Sequence, residues 1–91
     1  MQFEWDEAKS DATFEARGFD FAYATMLFDD PFRIEREDDR IDYGELRWQT
    51  IGLIEGEVIF VAFTMRGDVT RIISARRAHD NEERHYHASH R

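Results

Sequence analysis

Residues 46–77 read LRWQTIGLIEGEVIFVAFTMRGDVTRIISARR, and two turn signals divide them into three strands. Leu46, Trp48, Thr50 and Gly52 alternate with Arg47, Gln49 and Ile51 as far as Ile54, and a period of two is the signature of a strand. Glu55-Gly56 then supplies a tight hairpin turn. Glu57 to Met65 follows with Val58 to Phe63 contiguous and apolar, the pattern of a central strand buried on both faces. Gly67-Asp68 makes the next turn, and Val69 to Ala75 pairs back, so the stretch predicts an antiparallel meander. It closes on Arg76 and Arg77, two guanidinium groups placed where the strand gives way to a polar helix. If that strand runs straight, Ile72, Ser74 and Arg76 share one face and Arg71, Ile73 and Ala75 the other, which sets Arg71 and Arg76 on opposite faces. Fixed cations at the end of a rigid element suit anion chemistry, although a buried strand ending in solvated arginines fits the same residues.

Upstream, Gln2-Phe3-Glu4-Trp5 alternates as a short strand with Phe3 and Trp5 on its buried face. Asp6 is a helix N-cap, Glu7 to Arg17 is a weakly amphipathic helix and Gly18 is its C-terminal cap. Asp20 caps a second helix whose apolar face, Phe21, Ala24, Leu27 and Phe28, runs up to Asp29-Asp30-Pro31, and Pro31 ends it. Phe32 to Arg36 is a short strand, Glu37 to Tyr43 a loop, and Ala78 to His90 a polar terminal helix. The order of strand, two helices, antiparallel meander and C-terminal helix describes an α+β, two-layer domain with helices packed on one face of the sheet. Phe14, Phe21, Phe28, Phe60 and Phe63 read as core, and Trp48 as core or, on an exposed face, as a platform for an unpaired base.

Composition bounds the function. Ninety-one residues make one domain, 1–91, with a single core, and 42% hydrophobic residues suffice to fill it despite 35% charged ones. The absence of cysteine excludes disulfides and thiolate chemistry. No apolar run is long enough to cross a bilayer, the acidic N-terminus is no signal peptide, and the expected location is cytoplasmic. A net charge of −8 argues against a broad nucleic-acid surface, but the charge is uneven. Residues 1–65 carry 16 acidic and 6 basic side chains, and residues 66–91 carry 4 acidic and 6 basic ones.

In the last helix Glu82 and Tyr86 lie four apart on one face, with His79 a turn earlier. A carboxylate, a phenol and an imidazole so placed suit acid-base work, while an ion pair of Glu82 with Arg84 or Arg77 and an aromatic dock at Tyr86 are the structural alternatives. Four histidines fall between His79 and His90, but their spacing and the lack of sulfur ligands give no metal site.

The ordered set Phe3-Glu4-Trp5-Asp6-Glu7-Ala8-Lys9, Phe28-x-Asp30-Pro31, Gly44-Glu45-x-Arg47, Ile51-Gly52, Thr64-x-Arg66-Gly67 and Arg71 to Ala78 resembles the BrnT family, ribonuclease toxins of BrnT/BrnA type II toxin-antitoxin modules. The resemblance spans Phe3 to Tyr86. It implies a RelE-like fold, cleavage of messenger RNA with no metal or other cofactor, neutralisation by a cognate BrnA-like antitoxin, and contact with operator DNA only through that antitoxin. No membrane partner is implied. The family pattern matches at Thr64, Arg66, Arg71, Ser74, Arg76, Glu82 and Tyr86. Members usually carry a Lys-His-Gly turn after the first helix, where this chain has Ala16-Arg17-Gly18; Thr13 and Glu83 also depart from the pattern.

Cleaving RNA without a metal requires in-line attack of a 2′-hydroxyl, a proton acceptor, a proton donor and cations for the developing phosphorane. Arg66 and Arg76 are the expected cations, converging across the hairpin, with Glu82 and Tyr86 as proton-transfer groups. Lys9, Arg17, Thr64, Arg71 and Arg77 are the expected substrate-binding residues. The competing expectation, favoured by the Ala16-Arg17 departure, is a catalytically weakened interaction module that binds an antitoxin and acts in operon autoregulation.

Overall fold

The structure, a computed structural model, describes residues 1–39, 42 and 44–90. Strand β1 (Gln2–Trp5) leads into α1 (Glu7–Arg17), whose ends are as their chemistry dictates. The Asp6 carboxylate accepts from the Ala8 and Lys9 amides at 2.9 and 3.3 Å, and Gly18 takes the left-handed φ of 83° that closes the last turn. The second helix is shorter than the apolar spacing suggests. Only α2 (Phe21–Ala24) is α-helical, and Thr25–Asp29 tightens into a 3-10 turn. Asp20 caps α2 through the Tyr23 amide at 2.9 Å.

Four further strands follow: β2 (Ile34–Asp38), β3 (Arg47–Ile54), β4 (Glu57–Arg66) and β5 (Val69–Arg77), then α3 (Asp80–Ala88). Strand β2 starts two residues later than expected because the Asp30 carboxylate accepts from the Phe32 amide and the Asp30 carbonyl from the Arg33 amide, turning the chain over Pro31. Glu37 and Asp38, read as loop, extend β2; Arg40, Ile41 and Tyr43 of that expected loop lie outside the described residues. The β3–β4 turn puts Glu55 and Gly56 at φ 49° and 86°, the pair of positive values that a two-residue hairpin with the right twist requires.

The sheet order is β1-β5-β4-β3-β2, with β4 central as its apolar run predicts. β1 joins parallel to β5 and the other pairings are antiparallel, so the sheet is mixed. The α+β order of elements is as read, but the helices are not all on one face. Phe21, Leu27 and Phe28 pack with Ile59, Val61, Phe63 and Ile72 on one side of the sheet, whereas Tyr86 of α3 packs with Ile51, Val58 and Phe60 on the other. Phe14, expected in the core, is 57% exposed; Trp48 packs against the α1/α2 core.

A bulge overturns the expected facing of the arginines. Ala62 pairs with Ser74 but Phe63 with Ile72, so Ile73 is an extra residue in β5. Arg76 is therefore opposite Phe60 and Arg71 opposite Thr64, and because 60 and 64 share a face of β4, so do Arg71 and Arg76. The strand does not run straight, and both side chains lie on the face that carries α3.

Candidate functional site

The face carrying α3 is only half covered. Cross-strand pairing places Arg36 beside Gln49, Gln49 beside Ala62 and Ala62 beside Ser74, a polar strip interrupted only by a small residue. Two adjoining clefts, of about 350 and 430 Å³, run along it and share Arg36, Gln49, Phe60 and Glu82.

Arg76 lines the larger of the two, beside Phe60 and Glu82, which line both. Its guanidinium lies over the Phe60 ring, 3.9 Å from the centroid, and its two ends hold Glu82 bidentately at 2.8 and 3.0 Å. Stacking plus a forked ion pair fixes the cation in position, which a lysine would not do. Glu82 also starts the helix, because its Oε1 accepts from the His79 amide at 2.7 Å and so forms the capping box of α3. The Arg76 guanidinium first, and the His79 amide with it, hold the Glu82 carboxyl below its ordinary value despite its partial burial. The His79 imidazole is 67% exposed with Nδ1 3.9 Å from Glu82 Oε1, so a carboxylate, a guanidinium and an imidazole converge at one helix start. Glu82 thus pairs with Arg76, rather than with Arg84 or Arg77, the partners of the structural alternative.

Tyr86 is on the same helix but looks elsewhere. It is 4% exposed, and its hydroxyl donates to Asp30 Oδ2, the oxygen that also accepts from the Leu53 amide at 2.8 Å. The reason lies in the sheet edge. Since β2 pairs with β3 only from Ile34 opposite Ile51, Leu53 has no β2 neighbour, and the Asp30 carboxylate takes the place of the missing ladder acceptor. Tyr86 reaches that oxygen from the other side, so Asp30 fastens α3 to the opposite layer. Burial alone would raise Asp30, but the bonds from Tyr86, Leu53 and Phe32, with His90 nearby, hold it below its ordinary value. Burial and the Asp30 carboxylate push the Tyr86 hydroxyl up to about 12. Gly52 makes room for this junction, for a Cβ there would stand 3.0 Å from Leu27 Cγ and 3.3 Å from Asp30 Oδ2.

The other expected site residues are dispersed. Arg66 is opposite Val69 while Arg76 is opposite Phe60, six residues along β4 or about 20 Å, so the two do not converge. Arg66 is exposed and makes no ion pair among the described residues. Arg71 pairs with Glu4 at 2.9 Å, and the buried Thr64 hydroxyl donates to the Leu46 carbonyl. Arg77 projects to the face opposite Arg76, pairs with Glu57 at 2.8 Å, donates to the Arg17 carbonyl at 2.9 Å and lies over Phe19. Lys9 and Arg17 are exposed on α1. Asp30, Arg36 and Gln49 escaped assignment from sequence. Asp30 stood within the Phe28-x-Asp30-Pro31 signature, and Arg36 was legible only as the residue two beyond Ile34 on one strand face.

The assembly is an α+β domain whose one open sheet face holds a stacked, paired guanidinium within a polar groove, a class suited to binding a phosphodiester. The family model described as "Ribonuclease toxin, BrnT, of type II toxin-antitoxin system" matches residues 5–82, and the chain belongs to that family. A search of curated proteins returns no match. Among the described residues no helix is long and apolar enough to cross a membrane.

Proposed function

We propose that the chain is an endoribonuclease toxin that cleaves messenger RNA without a metal, in the cytoplasm, and is neutralised by a cognate BrnA-like antitoxin through which alone it meets operator DNA. The observation that carries the reading is the Arg76–Glu82 fork over Phe60 in an open groove, within a chain of the ribonuclease-toxin family.

The resting geometry supplies a chemical sequence. A phosphodiester entering the groove competes with Glu82 for Arg76, and the guanidinium passes from one anion to the other. Glu82 thereby loses the chief cause of its low pKa and becomes a better base just as the substrate arrives. It takes the proton of the 2′-hydroxyl, whose oxygen attacks the adjacent phosphorus, while Arg76 stabilises the charge on the phosphorane. The 5′-oxygen leaves with a proton from a protonated His79, giving a 2′,3′-cyclic phosphate and a 5′-hydroxyl end. Tyr86, committed to Asp30, positions α3 and so Glu82. Arg66 and Arg71, on the same sheet face, bind backbone phosphates further along the strand, and Lys9, Arg17 and Arg77 lie off this path.

The alternative of a weakened interaction module rests on Ala16-Arg17. That turn ends α1, and the Arg17 carbonyl is held by Arg77 on the other face, away from Arg76, which favours retained catalysis. The test is incubation of the purified chain with messenger RNA in excess EDTA. Cleavage leaving cyclic phosphate ends, and its loss in Arg76→Ala, is expected; intact RNA with a folded wild-type chain contradicts the reading.

A further inference from the structure

The cleft of about 350 Å³ between the β2–β3 edge and α3 shares Phe60 and Glu82 with the chemistry above, but its other lining residues take no part in it. Its apolar part is Ile34, Ile51 and Phe60, enough to receive the flat face of a base. Its polar wall is less ordinary. Arg36 spends Nε and Nη2 on one acceptor, Gln49 Oε1, at 3.1 and 3.0 Å, which fixes the guanidinium plane and leaves the Nη1 hydrogens unspent. Gln49 is fixed in turn, its amide nitrogen donating to Asp38 Oδ2 at 3.1 Å. Across the cleft, Asn81 and His85 lie one helical turn apart, and neither side chain makes a hydrogen bond or ion pair among the described residues.

A held guanidinium with spare donors, an unpaired amide and an unpaired imidazole around an apolar floor are what base recognition uses. We propose that this cleft is a nucleobase pocket that selects guanine next to the scissile phosphate. Arg36 offers donors only. On its Hoogsteen edge guanine presents two adjacent acceptors, N7 and O6, whereas adenine sets an amino donor beside N7, the two carbonyls of uracil flank an N–H donor, and the adjacent acceptors of cytosine, O2 and N3, sit on a single ring that covers less of the apolar floor. Asn81 can pair with the remaining polar edge in either sense, and His85 can stack on the exposed ring face. The inference rests on the ribonuclease reading, since it names that site's substrate subsite.

The test reads binding, not cleavage. The isotope-labelled chain is titrated separately with the 3′-monophosphates of guanosine, adenosine, cytidine and uridine, and amide shifts are followed. The guanosine nucleotide is expected to bind about tenfold tighter than the adenosine one, with shifts at Ile51, Asn81 and His85. Arg36→Ala should abolish the preference, and Asn81→Ala, an exposed helix change that spares the fold, should reduce it. Equal affinity for all four nucleotides, or shifts that avoid the cleft, would overturn the proposal. A guanosine preference in a chain that cuts no RNA would leave the pocket standing and remove the ribonuclease reading; cleavage without guanosine preference would do the reverse.

Discussion

Arg76 and Arg77 are neighbours in sequence and lie on opposite sides of the sheet, and they are used in opposite ways. Arg77 faces the layer of α1 and α2, where it closes the end of α1, pairs with Glu57 and covers Phe19. Arg76 faces α3, where its charge is balanced by one carboxylate that can be displaced, in a groove that water and ligands can enter. One side of the sheet is packed with Phe and Leu side chains from the α1/α2 layer; the other has been left half open, with polar strand residues that helix α3 does not cover. The contrast shows how a strand's alternation assigns stability and chemistry to successive residues of one type.

The largest effect on the fold should come from the residue that joins the two sides. Tyr86→Ala removes a buried ring and the donor to Asp30, and is expected to cost about 3–5 kcal/mol in urea unfolding. A loss under about 1 kcal/mol would mean that α3 is held by something else. Next is Gly52→Ala, whose methyl must displace Leu27 or Asp30; about 1–3 kcal/mol of destabilisation is expected in the same experiment. Arg77→Ala should cost about 1 kcal/mol, since its ion pair is solvated and only the carbonyl bond and ring contact add to it.

Acid sensitivity gives the smallest and sharpest prediction. Asp30 and Glu82 are both held below their ordinary values of 3.8 and 4.5, so each contributes stability that is fully present above that value and is lost as pH falls through its lower folded-state pKa. Melting temperature should therefore drop as pH is taken below 4.5, and Glu82→Gln should flatten that limb without changing its slope above neutrality. Identical acid limbs in the two proteins would show that the Arg76–Glu82 pair does not bias folding.

The strand pattern, both hairpin turns, the caps of α1 and the central place of β4 were legible because each follows from local period or turn chemistry. What was not legible is non-local. The extra residue Ile73 has no signature in an apolar run, yet it moves Arg71 to the face of Arg76. Arg84 and Arg77 stood as the sequence-near partners of Glu82, but Arg76 won because β5 delivers it beneath the start of α3. Asp30 stood only as the residue before Pro31, the helix stop; its acceptance of a β3 amide and the Tyr86 hydroxyl depends on where β2 begins. The apolar spacing of α2 was right about the buried face and wrong about the helix type, since Leu27 and Phe28 are buried equally well from a 3-10 turn.

The most direct test of the two-sided account compares Arg76→Ala with Arg77→Ala for RNA cleavage at equal concentrations of folded protein. The account predicts that Arg76→Ala loses about 10²–10³-fold, the scale of one electrostatic stabiliser, while Arg77→Ala stays within a few-fold of wild type. Equal losses in the two variants, or a fully active Arg76→Ala, would contradict it.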